Sequence, residues 1–548
     1  MDERVPMRDS IELSTDVYLP DIEGQFPTVL IRTPYGNSHD SRVRKALNLC
    51  STGYAVAIQD VRGRWDSDGE WNPWHCERND GEDTIHWLSQ QAWCNTRIGM
   101  IGSSYSAFTQ WEAARSGAEH LKCIIPRVAP SDIYSGVYYR QGAFQLFTAL
   151  GWSLQNYRKS QQPIEMYDWE SLLMSLPLMD MDKVSGKSIE FFRDWLKHDK
   201  FDDFWERIDL QSSCEVQIPV LSIGGWYDLF ADGTVANFLE MRSDQAVSNE
   251  FNKLIMGPWA HPLENQSQLG DMEFGSTAHF DLDDLENKWL DRWLKGEHNE
   301  IEKMAPVTVF VMGANQWKEE SEWPPQRSHN QRLYLHSDGQ ANTVNGDGVL
   351  SFDAPSDDEY DEFTYDPKDP VPTLGGNTCC FPELVPWGPK DQQELECRSD
   401  ILCYTSAVLE EGLEIMGMVT VVIHASSDAV STDFTAKLID VYPFGESFNV
   451  VDGIVRATCR DTCLDPNLIE PGEVYKYQIE LGPTAIVFRK GHRIRLHISS
   501  SNFPRFDRNL NTGDDFAFGS ECSVAHQRVY HSEARPSYVL LPVTGNGQ

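Results

Sequence analysis

Six short, almost continuous apolar segments recur through the first half of the chain. They are residues 27–32, 54–58, 98–101, 123–125, 220–223 and 254–256. Strands that are buried on both faces have this composition, and amphipathic segments with helical spacing, such as 83–91 and 105–114, lie between several of them. The alternation predicts an α/β domain with a parallel sheet, whose ligands bind at the carboxyl ends of the strands.

The strand pattern is interrupted once and then changes in character. From residue 129 to residue 213 the sequence becomes helical and aromatic, which predicts a helical cap over an active site; a second packed helical layer without a substrate role is the alternative. Beyond the predicted helix 283–295, alternating strands separated by turn-forming clusters indicate an all-β domain of sandwich or jelly-roll type. The predicted domains are 1–128 and 214–304 for the two parts of the α/β core, 129–213 for the helical cap, and 305–548 for the C-terminal domain.

The charge of the chain counts against two classes of partner. Lysine and arginine number 46 against 84 aspartates and glutamates, so the formal net charge is −38. Such a surface repels phosphate backbones and anionic lipid. The N-terminus has no apolar signal region and no segment approaches the length of a membrane span. We therefore expect a cytoplasmic protein that binds neither nucleic acid nor membrane, and a homo-oligomer remains open.

The twelve cysteines are scattered, with no CxxC pair and no histidine at zinc-ligand spacing. Cys379 and Cys380 are adjacent, and Cys459 and Cys463 are four positions apart. Free cysteines behave mostly as small buried apolar residues. We expect reduced, buried thiols and no metal site.

One serine lies at a tight turn between the third apolar segment and the helix that follows it. A nucleophile elbow requires small residues two positions before and two positions after the serine, because the backbones crowd there. Ser104 meets this requirement with Gly102 and Ser106, whereas Ser103 would place Ile101 at the crowded position. The stretch predicts Ser104 as a nucleophile, with a plain tight turn as the alternative.

A serine nucleophile needs a base to take its proton, and the base needs an acid to hold it. In an α/β sheet the three follow one another in the order Ser, Asp or Glu, His, each after a strand. Asp228 follows the segment 220–223, and His261 follows the segment 254–256. Their order and position predict a triad with Ser104.

An oxyanion hole is also required, because negative charge develops on the carbonyl oxygen in the transition state. The backbone N–H of Tyr105, the residue after the nucleophile, is the first candidate donor. The phenol of Tyr35, in the loop after the first apolar segment, is the second.

Several motifs spread along the chain match a known family. They are Val5-Pro6-Met7-Arg8-Asp9, Arg32-Thr33-Pro34-Tyr35, Gln59-Asp60-Val61-Arg62-Gly63, Gly102-x-Ser104-Tyr105, Gly224-Gly225-Trp226-Tyr227-Asp228, Gly257-Pro258-Trp259-x-His261 and Gly491-His492-Arg493-Ile494-Arg495-Leu496. Together they resemble the cocaine-esterase-like (CocE/NonD) hydrolases, which are related to the Xaa-Pro dipeptidyl-peptidases. The resemblance implies an α/β-hydrolase core, an inserted helical cap, a C-terminal jelly roll and no cofactor.

The resemblance also implies a role for each matching residue. It makes Ser104 the nucleophile, Asp228 the acid and His261 the base, with Tyr35 and the Tyr105 amide as the oxyanion hole. Ala107 stands where these relatives carry glycine. A methyl group is compatible with the motif if that position is already helical.

The family acts on several kinds of substrate, including carboxylic esters, α-amino acid esters, β-lactam side chains and proline-containing peptides. Its α-amino acid ester hydrolases place carboxylates two and three residues after the catalytic aspartate, where this chain has Phe230 and Ala231. Asp232, next in sequence, is expected to cap the following helix. An apolar wall suits an uncharged acyl group, so we expect a serine esterase that cleaves a small-molecule carboxylic ester through an acyl-enzyme.

Tyr139 and Trp152 of the predicted cap, together with Phe230, are the candidate residues of the acyl pocket; ordinary core packing is the alternative for each. Three other functions remain open for the chain as a whole. They are an amidase or acylase, an Xaa-Pro dipeptidyl-peptidase, and a non-catalytic binding protein.

Overall fold

The structure, a computed structural model, describes residues 1–208, 215–243, 251–263, 267–356 and 359–547. In the first 320 residues the strands are β1 (Asp2–Pro6), β2 (Glu12–Tyr18), β3 (Phe26–Thr33), β4 (Ala55–Asp60), β5 (Cys94–Ser103), β6 (Leu121–Arg127), β7 (Tyr139–Arg140), β8 (Ala143–Phe144), β9 (Leu221–Tyr227), β10 (Lys253–Ala260), β11 (Gln268–Leu269), β12 (Met272–Glu273), β13 (Val307–Val311) and β14 (Gln316–Glu320). The α-helices are α1 (Asp40–Ser51), α2 (Glu77–Ser89), α3 (Tyr105–Arg115), α4 (Leu146–Asn156), α5 (Trp169–Met174), α6 (Met181–Val184), α7 (Glu190–Lys197), α8 (Asp203–Glu206), α9 (Ala231–Glu240) and α10 (Leu282–Leu290).

A ten-stranded sheet in the order β1-β2-β4-β3-β5-β6-β9-β10-β13-β14 forms the centre of this half. The strands from β4 to β13 in that order run parallel, and β1, β2 and β14 complete the edges in antiparallel pairs. Adjacent side chains of β3 face opposite sides: Leu30 belongs to the apolar cluster that contains α2 and α3, and Ile31 to the cluster that contains α1 and α10. The predicted α/β domain with helices over a parallel sheet is confirmed.

The sheet extends beyond the predicted domain boundary at residue 304. Strand β13 pairs in parallel with β10, with Leu254 opposite Val307, and β14 pairs with β13. The sequence assigned residues 307–312 to the all-β domain. However, all five residues of β13 are buried, which is typical of a central parallel strand covered on both faces. The ten-stranded sheet of the first domain therefore ends at Glu320.

Between β6 and β9 the chain leaves the sheet and forms the helices α4 to α8 and the short strands β7 and β8. Aromatic side chains pack together here; for example, the rings of Tyr138 and Trp195 are stacked with their centroids 3.8 Å apart. The predicted end of this segment, at residues 213 and 214, lies outside the described residues.

Strands dominate the rest of the chain. They are β15 (His329–His336), β16 (Val349–Ser351), β17 (Tyr360–Tyr365), β18 (Leu402–Ser406), β19 (Gly412–Ser427), β20 (Asp433–Val441), β21 (Ser447–Arg456), β22 (Tyr475–Phe488), β23 (Arg493–Ser499), β24 (Ala525–Tyr530) and β25 (Tyr538–Gly547). All eleven belong to one hydrogen-bonded sheet system. This separate all-β domain was predicted from its alternating pattern.

The two domains share an apolar core. Trp226 of β9 and Val309 of β13 belong to the same buried cluster as Ile415 of β19 and Ile479 of β22. Among the described residues, no helix combines the length and the apolar character needed to cross a bilayer.

Candidate active site

The turn between β5 and α3 has the backbone of a nucleophile elbow. Ser104 has φ 61° and ψ −124°, a conformation that non-glycine residues rarely adopt. A Cβ atom on Gly102 would lie 2.6 Å from the Cβ of Ser106, so only glycine fits there. The backbone N–H of Ala107 donates to the carbonyl of Ser104 at 2.8 Å. Ala107 therefore lies inside the first helical turn, where its methyl group is accommodated.

Asp228 and His261 follow the carboxyl ends of the neighbouring strands β9 and β10. Their side chains meet, with His261 Nδ1 at 2.6 Å from Asp228 Oδ1. Because a carboxylate oxygen only accepts, Nδ1 carries the proton and Nε2 has the free lone pair. Asp228 is fully buried, whereas 13% of the His261 side chain is exposed. The pair thus presents one basic nitrogen to the space above the sheet.

A residue of the C-terminal domain holds the loop that carries Asp228. Asn377 Nδ2 donates to the backbone carbonyl of Asp228 at 2.8 Å and to that of Trp226 at 3.0 Å. This contact holds the Asp228 backbone from a residue about 150 positions further along the chain, and no sequence pattern pointed to it.

The phenol of Tyr35 lies beside the elbow. Its hydroxyl accepts a hydrogen bond of 3.1 Å from Trp152 Nε1 and interacts with the Ser104 hydroxyl. Since Trp152 occupies an acceptor position, the phenolic proton remains available for donation. Burial raises the pKa of Tyr35 above its usual value, so the phenol stays protonated at neutral pH.

Tyr105 is the first residue of α3, and its side chain is fixed by two hydrogen bonds. The hydroxyl donates to Glu77 Oε1 at 2.9 Å and accepts from the N–H of Trp74 at 2.7 Å. Burial raises the pKa of Glu77 to about 7, although Arg32 beside it opposes that shift. The first N–H groups of a helix have no partner within it, so the Tyr105 amide is suited to an anionic oxygen.

A cavity of about 370 Å³ lies over these groups, and Ser104, His261 and Tyr35 all line it. The predicted pocket residues Trp152 and Phe230 line it as well. The ring of Phe230 meets the His261 ring edge to face, with the centroids 5.5 Å apart.

The structure places Tyr139 outside this cavity. Its hydroxyl donates to the carbonyl of Trp195 at 2.8 Å, inside the helical segment. Tyr138 lines the cavity instead. Neighbouring residues cannot face the same side where an extended strand begins, and Tyr139 is the first residue of β7. The sequence found the aromatic pair but assigned the pocket to the wrong member.

Two further corrections concern residues around the site. Asp232 does not cap α9, whose N-cap is Phe230; it forms an ion pair with Arg140. Cys379 and Cys380 line the cavity and are joined by a disulfide, so the expectation of reduced thiols does not hold for this pair. Their adjacency was the one signal that could have indicated a bond.

Comparison with known proteins agrees with the motifs. The model of the X-Pro dipeptidyl-peptidase (S15 family) matches residues 9–262, and that of the X-Pro dipeptidyl-peptidase C-terminal non-catalytic domain matches residues 299–540. A cocaine esterase from Rhodococcus sp. (strain MB1 Bresler) is 36% identical, over 98% of this chain and 97% of its own length.

Two solved structures are similar along the whole chain. An aminopeptidase from the marine sediment archaeon Thaumarchaeota archaeon is 25% identical with a TM-score of 0.90, covering 100% of this chain and 96% of its own. An α-amino acid ester hydrolase is 27% identical with a TM-score of 0.88, covering 99% and 96%. On these matches, the chain belongs to the cocaine-esterase-like hydrolases, which are related to the X-Pro dipeptidyl-peptidases of the S15 family.

Proposed function

We propose that the chain is a serine esterase that cleaves carboxylic esters through an acyl-enzyme, with Ser104 as nucleophile, His261 as base and Asp228 as acid. The observation that carries the proposal is that Ser104, His261 and Tyr35 line one cavity. In addition, His261 is hydrogen-bonded through Nδ1 to the buried Asp228. The 36% identity to a cocaine esterase supports ester cleavage.

The reaction follows from the free atoms of these groups. Ser104 Oγ attacks the ester carbonyl while its proton moves to His261 Nε2. The oxyanion accepts hydrogen bonds from the Tyr35 hydroxyl and the Tyr105 amide. The C–O bond then breaks, and the leaving alcohol takes the proton from Nε2. A water molecule, deprotonated by the same nitrogen, then attacks the acyl carbon; the bond to Ser104 Oγ breaks, Nε2 returns the proton to Oγ, and the carboxylic acid leaves.

We extend the proposal to the architecture around the site. The segment predicted as residues 129–213, described by the structure up to residue 208, acts as a cap on an α/β-hydrolase core, since Tyr138 and Trp152 line the cavity from that segment. The C-terminal domain is a jelly roll that closes another wall, through Cys379 and Cys380.

The charges around the cavity favour an uncharged acyl group over an aminoacyl group. Of the described residues that line the cavity, none has a carboxylate side chain. Asp232, which is close in sequence to the acid, is neutralised by Arg140. A substrate ammonium would therefore lose its hydration without gaining a partner. The aminopeptidase and the α-amino acid ester hydrolase among the similar structures make aminoacyl substrates the second candidate class.

A pair of matched substrates tests this preference. Methyl phenylacetate and phenylglycine methyl ester differ only by the α-amino group. We expect kcat/KM for the phenylacetate to be higher by roughly tenfold or more, because the ammonium stays unpaired. Aminoacyl and prolyl p-nitroanilides should be turned over more slowly than p-nitrophenyl esters. Preference for the aminoacyl ester, or for an Xaa-Pro anilide, would contradict the proposal.

Removing the Tyr35 hydroxyl tests the oxyanion hole. Tyr35→Phe should lower kcat about a hundredfold with an unchanged fold, as for other oxyanion donors. Trp152→Phe keeps the phenol but removes the indole N–H that orients it, so its effect should be smaller. Tyr139→Phe, a tyrosine outside the cavity, is the matched control and should retain kcat. An unchanged kcat in Tyr35→Phe would remove Tyr35 from the mechanism.

A further inference from the structure

Two sulfur atoms lie next to the basic nitrogen of the site. The Sγ atoms of Cys379 and Cys380 and one ring nitrogen of His261 are all within 4.8 Å of one another. The three residues line the same cavity; Cys379 is buried and Cys380 is half-buried. Asp228 occupies Nδ1 of His261, so Nε2 is the nitrogen that is free to bind a ligand.

Two thiolates and an imidazole form a typical ligand set for Zn²⁺. With Zn–S bonds of about 2.3 Å and a Zn–N bond of about 2.0 Å, tetrahedral ligand atoms lie roughly 3.5 to 3.8 Å apart. The His261 nitrogen is already within 4.8 Å of both sulfurs, and the two Sγ atoms, which are bonded to each other in the structure, must move apart after reduction to reach this arrangement. The two thiolate charges also neutralise the cation, which favours its binding among partly buried groups.

The zinc ligand set of two thiolates and one imidazole exists only when both cysteines are reduced. In the structure Cys379 and Cys380 are bonded to each other, and a disulfide offers no thiolate. A dithiol reductant would donate two electrons and two protons to the pair, yielding two thiols and the reductant's own disulfide. Binding of Zn²⁺ would then displace both thiol protons.

We propose that reduction of the Cys379–Cys380 disulfide creates an inhibitory Zn²⁺ site with His261. The inference rests on the proposed function, because it takes His261 as the catalytic base. A cation on Nε2 occupies the lone pair that would accept the Ser104 proton, so turnover stops. The enzyme is thereby active when the pair is oxidised, and zinc-sensitive when the pair is reduced.

The first measurement is direct binding of Co²⁺, a spectroscopic substitute for Zn²⁺. The full-length protein is reduced with a dithiol, desalted without oxygen and titrated with Co²⁺. We expect a thiolate-to-cobalt charge-transfer band in the near ultraviolet that saturates at one cation per chain, and no such band in the oxidised protein. Absence of the band in the reduced protein would overturn the inference.

The second measurement is ester turnover with Zn²⁺. In the reduced enzyme, one equivalent should lower turnover to the level of His261→Ala, and EDTA should restore it. The oxidised enzyme should keep its turnover. Inhibition of both forms to the same extent would contradict the inference.

Paired cysteine variants separate this site from other thiols. The double variant Cys379→Ser with Cys380→Ser should lose the cobalt band and the zinc inhibition, measured relative to its own metal-free turnover. The double variant Cys76→Ser with Cys397→Ser removes two exposed thiols and should keep both effects. A cobalt band that persists in the first variant would assign binding elsewhere.

The two proposals fail in different ways. A metal-free enzyme without ester turnover would refute the proposed function, while the cobalt band would still report the site. An active enzyme whose reduced form binds no cobalt would refute the inference alone.

Discussion

Ser104→Ala should lower kcat for ester hydrolysis about a millionfold, to the level left by binding and the oxyanion hole alone. The large effect follows from geometry, since Ser104 occupies the elbow that directs its hydroxyl into the cavity. Removing the Oγ atom leaves His261 with no hydroxyl to activate. The measurement is single-substrate kinetics with a p-nitrophenyl ester.

Ser103, the residue before Ser104, is the alternative nucleophile that the same experiment can detect. Ser103 also lines the cavity, but it is the last residue of β5 rather than part of the elbow. If Ser103 were the nucleophile, Ser104→Ala would keep turnover within about tenfold of the parent, and the assignment would be wrong. Ser116→Ala, at the other end of α3, is the control and should retain kcat.

Asp228→Asn should lower kcat about ten-thousandfold with the fold intact. The carboxylate holds the proton on His261 Nδ1 over a distance of 2.6 Å. An amide N–H₂ in its place would require an unprotonated Nδ1, so the proton would move to Nε2 and the base would be lost. Steady-state kinetics and a thermal unfolding curve measure the two effects separately.

The matched control for this substitution lies four residues further on. Asp232→Asn changes an equal charge in the same region, but Asp232 contacts Arg140 rather than the base. We expect its kcat to stay within about tenfold of the parent. Equal losses in the two variants would point to a general electrostatic effect and against the assigned acid.

The sequence predicted those parts of the site that depend on neighbouring residues in the chain and on the order of the strands. Crowding at the elbow excludes any side chain at Gly102, so the small-residue rule alone selected Ser104 over Ser103. The order of the chain and the carboxyl ends of β9 and β10 were enough to place Asp228 and His261, which the structure brings to 2.6 Å.

The predictions that differ from the structure depend on long-range packing. The pattern of the five residues of β13 predicts a strand but does not show which of the two sheets it joins. That choice depends on its burial on both faces, which the helices and the second domain produce. The orientation of Tyr138 and Tyr139 depends on where the short strand β7 begins.

Residues from the second domain were missed for the same reason. Asn377, Cys379 and Cys380 reach the site from more than a hundred positions beyond His261. Their neighbours in sequence carry no motif for catalysis. Only the packing of the all-β domain against the first domain brings them to Asp228 and His261.

The most direct test of the account is to locate the adduct of a fluorophosphonate on the active protein. Cleavage after Arg97 and Arg115 yields a peptide of residues 98–115, which contains Ser103, Ser104 and Ser106, and fragment ions distinguish the three. The account predicts one adduct per chain, on Ser104, formed in parallel with the loss of ester turnover. An adduct on Ser103 or on another peptide, or full inactivation without an adduct on Ser104, would contradict it.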